Sequence, residues 1–171
     1  MGGIRVTGLL MGSTSLDIKA GSVTKTIPVT VKSRNLLSYG PASGNGLTVT
    51  VNTDGSLHVT GAAARQWAGL VWTFPCPVQG TVKLSGTSIA GLSPSVKFLD
   101  AKGHQLGGQV ISGGNAVAIP AGTVSLRFEI LSNEATPTAK DGDLRVQLES
   151  GDTAHEWMRP DNTSLRGGVV N

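Results

Sequence analysis

Aliphatic and polar residues alternate with a period of two along most of this chain, the pattern of strands that bury one face and solvate the other. Leu47, Val49 and Val51 alternate with Thr48 and Thr50. "NTDGS" then turns the chain, and Leu57 and Val59 alternate with His58 and Thr60 on the return. Asp54-Gly55 in that turn predicts a hairpin, because both residues tolerate the positive φ that tight turns require. "AGLVWTF" places Leu70, Trp72 and Phe74 on one face, "TVKLSG" Val82 and Leu84, and "SVKFLD" Val96 and Phe98 before the turn "DAKGH". "AVAIPAG" adds Val117 and Ile119. "TVSLRFEI" gives Val124, Leu126, Phe128 and Ile130 inward with Ser125, Arg127 and Glu129 outward. "DLRVQLE" gives Leu144, Val146 and Leu148 inward with Arg145, Gln147 and Glu149 outward. About eight such strands lie between residues 46 and 149, and they predict an all-β, antiparallel β-sandwich. The helical candidate "AAARQWAGL" is too short to stand alone and reads as a loop or a single turn.

Residues 1–33 differ. "IRVTGLL", "SLDIKAG" and "KTIPVTVKS" read as two or three strands, too few to bury a core, so they form a short N-terminal β arm that needs a partner. Pro28 confines its strand to an edge. The sandwich spans residues 34–160. Residues 161–171 form a C-terminal tail, expected to fray or to serve as a docking arm.

Composition sharpens this picture. Aromatics are 4% and charged residues 15% of the chain, against 24 glycines, which favours short strands with Gly-rich turns over a helical bundle. The formal charge of +3 comes from scattered basic residues. No Lys/Arg run interleaves with aromatics, so no nucleic-acid footprint is read. Cys76, the one cysteine, lies between Pro75 and Pro77. It reads as a small buried apolar side chain, and the lack of a disulfide framework suits a reducing compartment. "MGGIRVTGLLMG" does not read as a secretory signal, and no segment approaches the ~20 apolar residues of a membrane span.

The stretch "LRVQLESGDTAHEWMRPD", residues 144–161, closes the strand series. With "RNLL" at residues 34–37, "NTDGSLHVTGAA", "VKLSG" and "VSLRFEI" before it, the order resembles the jelly-roll, carbohydrate-binding-like β-sandwich modules of tailed-phage and prophage virion proteins. Gln147, Leu148, Glu149, Gly151, Thr153, Ala154, Trp157 and Pro160 fall in the order of that family's closing motif. His155, where a small polar residue or Pro is usual, and Trp157, where Tyr is more usual, depart from it. The resemblance covers residues 34–160 and implies a jelly-roll architecture. It also implies a virion setting in a tail, baseplate or capsid-surface position, with other virion proteins and copies of the same chain as partners. Independently, Gly151 permits a turn after the last strand, and Trp157 is expected to fold back and seal the open end of the core. Gln147, Leu148, Glu149, Gly151 and Trp157 are therefore assigned to a structural closing seam.

Catalytic patterns are missing. There is no Gly-x-Ser-x-Gly elbow and no phosphate-cradling glycine loop. His58, His104 and His155 have no ligand spacing with one another or with Cys76. Asp100, Glu129, Glu149 and Glu156 are the acidic candidates for a glycosidase pair, and sequence places no two of them together; Glu129 and Glu149 are expected outward and solvated. Asp141 and Asp143 in "KDGD" are assigned to turn chemistry rather than to calcium. No cofactor or metal is called for. Glycan contact needs an exposed aromatic face. Trp72 shares parity with Leu70 and Phe74 and goes to the core; Trp67, in the polar stretch "ARQWAG", is the better surface candidate; Tyr39, beside Gly40 and Pro41, stays open. The expected function is a non-enzymatic phage virion structural protein that docks through residues 1–33. The alternative is a glycan-binding module for host-surface adhesion, using Trp67 or Tyr39. An enzyme on a β scaffold ranks last.

Overall fold

A computed structural model describes residues 11–169; the candidate strand at residues 4–10 lies outside that range. The described residues form fourteen strands and no helix. The chain divides into two compact units after Ser33.

In the first unit, β1 (Gly12–Ala20) and β2 (Val23–Val31) form an antiparallel hairpin. Gly21, at φ 61°, makes the two-residue turn possible. The register pairs Leu16 with Ile27 and Thr14 with Val29, so one face is largely aliphatic. The other carries Ser13, Ser15, Asp17, Thr26 and Thr30. A hydrogen bond from Thr26 Oγ1 to Asp17 Oδ1 (2.6 Å) ties the polar face together.

The second unit is the all-β antiparallel sandwich that the alternation predicts. Its five-stranded sheet runs β14 (Gly168–Val169), β6 (Gly69–Pro75), β11 (Ser125–Ser132), β8 (Leu92–Leu99), β9 (Gln105–Ile111). A four-stranded sheet runs β12 (Lys140–Leu144), β5 (Leu57–Gly61), β4 (Leu47–Val51), β3 (Ala42–Gly44). A three-stranded sheet runs β10 (Val117–Ala118), β7 (Thr81–Gly86), β13 (Val146–Ser150). A single residue, Arg145, separates β12 from β13. Its N–H donates to Thr87 Oγ1 (2.9 Å) and its carbonyl accepts from Thr87 N (3.1 Å). One stretch of chain thus links the two smaller sheets, pairing with β5 on its first half and β7 on its second.

The inward parities meet in one core. Leu47, Val49, Leu57, Val59, Leu70, Trp72, Val82, Leu84, Val96, Phe98, Leu126, Phe128, Ile130, Leu144, Val146 and Leu148 are all buried in a single cluster. Trp72 stacks on Phe128 with ring centres 5.5 Å apart, and Tyr39 packs on the same ring at 6.0 Å.

Several expectations are corrected. Val124 is exposed, because β11 begins only at Ser125. Gln147, Glu149 and Glu129 are buried rather than solvated. Four strands escaped the periodicity: the short β3 and β14, which lie outside residues 46–149, β9, whose Gly107-Gly108 interrupts the pattern, and most of β12, the "KDGD" segment taken for a turn. As far as Val169 the C-terminal tail is seated rather than frayed. Residues 162–167 run parallel to residues 38–41, with Tyr39 N donating to Asn162 O, Leu165 N to Tyr39 O and Gly167 N to Pro41 O (each 3.2 Å). Val169 in β14 then pairs with Leu70. Two glycines allow this close approach. A Cβ on Gly40 would lie 2.5 Å from Leu165 O, and one on Gly167 would lie 2.6 Å from both Ala42 Cβ and Trp72 Nε1.

Candidate functional site

The closing seam is built around Asn35, 3% exposed. Its Nδ2 donates to Val146 O and to Met158 O (both 2.9 Å), while its Oδ1 accepts from Leu37 N and Leu148 N (both 3.2 Å). Leu36 N adds a bond to Leu148 O (2.8 Å). Gln147 works from the other side of β13. Its Oε1 accepts from Met158 N (2.6 Å), and its Nε2 donates to Glu156 O (3.2 Å). The segment after Gly151 is therefore folded back over β13 and held by two amide side chains. Leu148 sits in the core beneath, and Gly151, at φ 98°, makes the turn.

Glu149, 2% exposed, anchors this seam electrostatically. His155 approaches it through Nδ1 (3.0 Å) and backbone N (3.1 Å), and Arg34 Nε through Oε1 (3.5 Å). Burial works to raise its pKa. The His155 backbone N–H, the Gln147 side chain and the His155 ring outweigh burial and hold it below the usual glutamate range. Of the His155-Glu156 pair, His155 serves Glu149, and Glu156 contributes its carbonyl to Arg34 and Gln147.

Trp157 does not seal the core as expected. It is half-buried outside the apolar cluster, donates through Nε1 to Val146 O (3.3 Å), and lies under the Arg145 guanidinium at 5.8 Å. The wide rings at the centre of the core are Trp72, Tyr39, Phe98 and Phe128.

Of the two aromatic glycan candidates, Tyr39 is corrected: it is 0% exposed and its hydroxyl donates to Gly55 O (3.1 Å). Burial foremost, then the nearby Asp54 charge, pushes its hydroxyl pKa well above the ordinary tyrosine value. Trp67 is on the surface, 54% exposed, in the loop the sequence indicated. Its backbone is left-handed, at φ 60°, which is a rare conformation for so bulky a residue. The loop is fastened on both flanks. Trp67 N donates to Ser132 O (2.7 Å) and Gln66 Nε2 to Asn133 O (3.1 Å). Ala64 N donates to Asn45 O (2.9 Å), and Asn45 Nδ2 to Gly69 O (3.1 Å). Among the described residues Asn45 and Trp67 are the two non-glycine positions with positive φ, and these bonds put them in one cluster.

Several further charged groups form ion pairs. Glu129, 0% exposed, lies between Arg127 Nε (2.7 Å from Oε1) and Lys97 Nζ (3.1 Å from Oε2), an ion-pair triad without hydrogen-bond alignment at the carboxylate. His58 Nδ1 meets Asp143 at 2.8 Å, and Asn52 Nδ2 donates to the same oxygen (3.0 Å). These contacts, the His58 bond first, lower the Asp143 pKa. Asp54 accepts from Ser56 and Arg145, which holds its carboxyl far below the usual range. Among the described residues no group of three or more His, Cys, Asp and Glu side chains is placed to hold a metal ion. Cys76 is half-buried rather than fully buried, its thiol against Val78 O (3.1 Å).

No family model and no curated protein matches the chain. A solved structure that does match is described as the crystal structure of accessory secretory protein 1, 2 and 3 in Streptococcus pneumoniae. It is 15% identical at a TM-score of 0.44, over 71% of this chain and 98% of that one. That is a bacterial secretory protein and not a virion component, and on this finding the expectation of a phage virion structural protein is corrected. The likeness is too distant to carry anything of that protein's role to this chain.

Proposed function

We propose that the second unit is a non-catalytic binding module that takes a saccharide on the face of Trp67. The single observation that carries this reading is an exposed indole fixed in a left-handed backbone by the loop around it. Such a conformation costs on the order of 1–3 kcal/mol and persists where surrounding bonds over-determine it, which happens preferentially at ligand sites. A rigid, outward indole offers a flat apolar face for the C–H face of a sugar ring. Arg65 and Gln66 precede it in the same loop, and Gln66 bonds Asn133 O, so polar groups of the kind that sugar hydroxyls require are carried by that loop.

The test is a glycan array followed by titration of any hit, with Trp67→Gly beside the natural protein. Glycine accepts φ 60° without strain, so the variant keeps its stability within about 1 kcal/mol while losing at least tenfold in affinity, about 1.4 kcal/mol. An array without hits would refute the reading. So would an array in which every hit is bound equally well by Trp67→Gly, or a protein captured through Trp67 in place of any sugar.

A further inference from the structure

A second surface feature stands apart from Trp67. A groove of about 700 Å3 runs between the outer face of the β3–β4 hairpin and the C-terminal segment 163–167. Ser43, Thr48, Thr50, Thr163 and Ser164 line it with hydroxyls, and Arg166 supplies a guanidinium. No lining residue carries a carboxylate. Arg166 belongs to none of the ion pairs found among the described residues. A further cation stands close by, because Arg159 Nη2 donates to the lining Thr163 Oγ1 (3.1 Å).

The groove is also pre-formed. One wall is a strand pair in fixed register, Ala42 opposite Val49 and Ser43 opposite Thr48. The other is held to residues 39–41 by the parallel ladder and by the approach of Gly167 to Ala42 and Trp72. Trp72 Nε1 donates to Gly40 O (3.1 Å) and fastens that ladder to the core. The walls therefore need little ordering on binding, which lowers the entropic cost. The volume falls in the range of about 300–1,000 Å3 typical of small-ligand sites.

We infer that this groove binds an acidic oligosaccharide, with Arg166 on the anionic group and the hydroxyl row along the sugar chain. Ser43 and Thr48 bond each other (3.0 Å), Thr163 accepts from Arg159, and Ser164 donates to Asn162 Oδ1 (3.1 Å); each hydroxyl still accepts from a sugar hydroxyl, and Thr50, Thr163 and one of the Ser43–Thr48 pair also donate. A guanidinium fork takes a carboxylate or sulfate through two parallel N–H bonds. A bare inorganic anion is small enough to engage only the guanidinium and one or two adjacent hydroxyls, and would leave the rest of the row without a role. The inference does not rest on Trp67.

The experiment is calorimetric titration of the full chain with trigalacturonate, a sulfated heparin-derived tetrasaccharide, neutral galactotriose and inorganic phosphate. At least one acidic oligosaccharide is expected to bind tenfold or more tightly than galactotriose; which of the two is preferred identifies the anionic group. Arg166→Gln, on an exposed side chain, should leave the melting temperature unchanged and remove that tenfold preference. Thr48→Val should weaken the acidic oligosaccharide further, and Trp67→Gly should leave it unchanged. Equal binding of acidic and neutral sugars overturns the inference. Full affinity in Arg166→Gln, or phosphate binding as tightly as the oligosaccharides, does so equally.

Discussion

Replacing Asn35 with alanine should cost the sandwich unit more than any other polar-to-alanine change in the seam. Among the described residues the side chain makes four hydrogen bonds, two as donor to Val146 O and Met158 O and two as acceptor from Leu37 N and Leu148 N. Each is worth about 1 kcal/mol net, and a buried partner left alone costs about 1–3 kcal/mol. Met158 is only half-buried, so water recovers part of one bond. The sum is a loss of about 4 kcal/mol, a large share of the 5–15 kcal/mol that typically holds a domain together. For a unit of this size each kcal/mol moves the melting temperature by about 3–4 °C, so the expected drop is about 12–16 °C. Thermal unfolding followed by circular dichroism reads it directly, and urea unfolding checks that the slope is unchanged. Asn35→Asp is the isosteric comparison. It keeps an acceptor for the two N–H groups but turns a carboxylate toward two carbonyls, so it should be at least as damaging. A drop under about 3 °C for Asn35→Ala, or natural stability in Asn35→Asp, would refute the role assigned to this amide.

Two further predictions concern buried acids. Glu129→Gln leaves Lys97 and Arg127 facing each other without their shared carboxylate. Breaking a buried pair costs about 3–5 kcal/mol, and the partial exposure of both cations lowers this to about 2 kcal/mol; a shift in urea midpoint worth less than about 0.5 kcal/mol would count against the triad. Glu149 has a folded pKa below its ordinary value. Its contribution is therefore complete above the ordinary glutamate range and is lost as pH falls through the depressed value. The stability gap between the natural protein and Glu149→Gln should be widest near neutral pH and close in acid. A gap that persists unchanged at about pH 3 would remove Glu149 from the seam.

What the chain made legible was parity, and parity has a definite physical limit. A period of two says which residues share a face of a strand, and the inward sets around Leu70, Leu126 and Leu144 are in the core as read, Val124 excepted. It does not say whether the other face meets water. Gln147 and Glu149 were assigned to solvent because they alternate with aliphatics, yet the chain's own residues 155–158 return over that face, held by these two side chains. Glu129 is enclosed by Lys97 and Arg127, whose long side chains are themselves only partly exposed. β12 was missed because Asp-Gly-Asp is turn chemistry in isolation; at the sheet edge, where β12 pairs only with β5, the same charges are what an edge strand carries. Asn35 was visible only as part of "RNLL", because three of its four bonds reach residues more than a hundred positions away.

The aromatics divide on the same principle. Tyr39 and Trp67 each sit among glycines or polar residues in sequence, and local polarity alone leaves both open. Tyr39 is buried because Gly40 and Gly167 let the C-terminal segment approach within backbone distance, and that cover comes from residues 162–167. Trp67 has no such cover, and its loop spends its hydrogen bonds on fixing the backbone instead of hiding the ring. If burial were the purpose of that loop, a relaxed φ and an inward rotamer over the neighbouring strand ends would serve better than a left-handed residue with more than half its surface in water. The same C-terminal segment that covers Tyr39 also forms the second wall beside Arg166. Closure of the core and construction of the groove thus depend on the same segment. Changes at Gly40 or Gly167 should disturb both together, whereas changes at Arg166 touch only the groove.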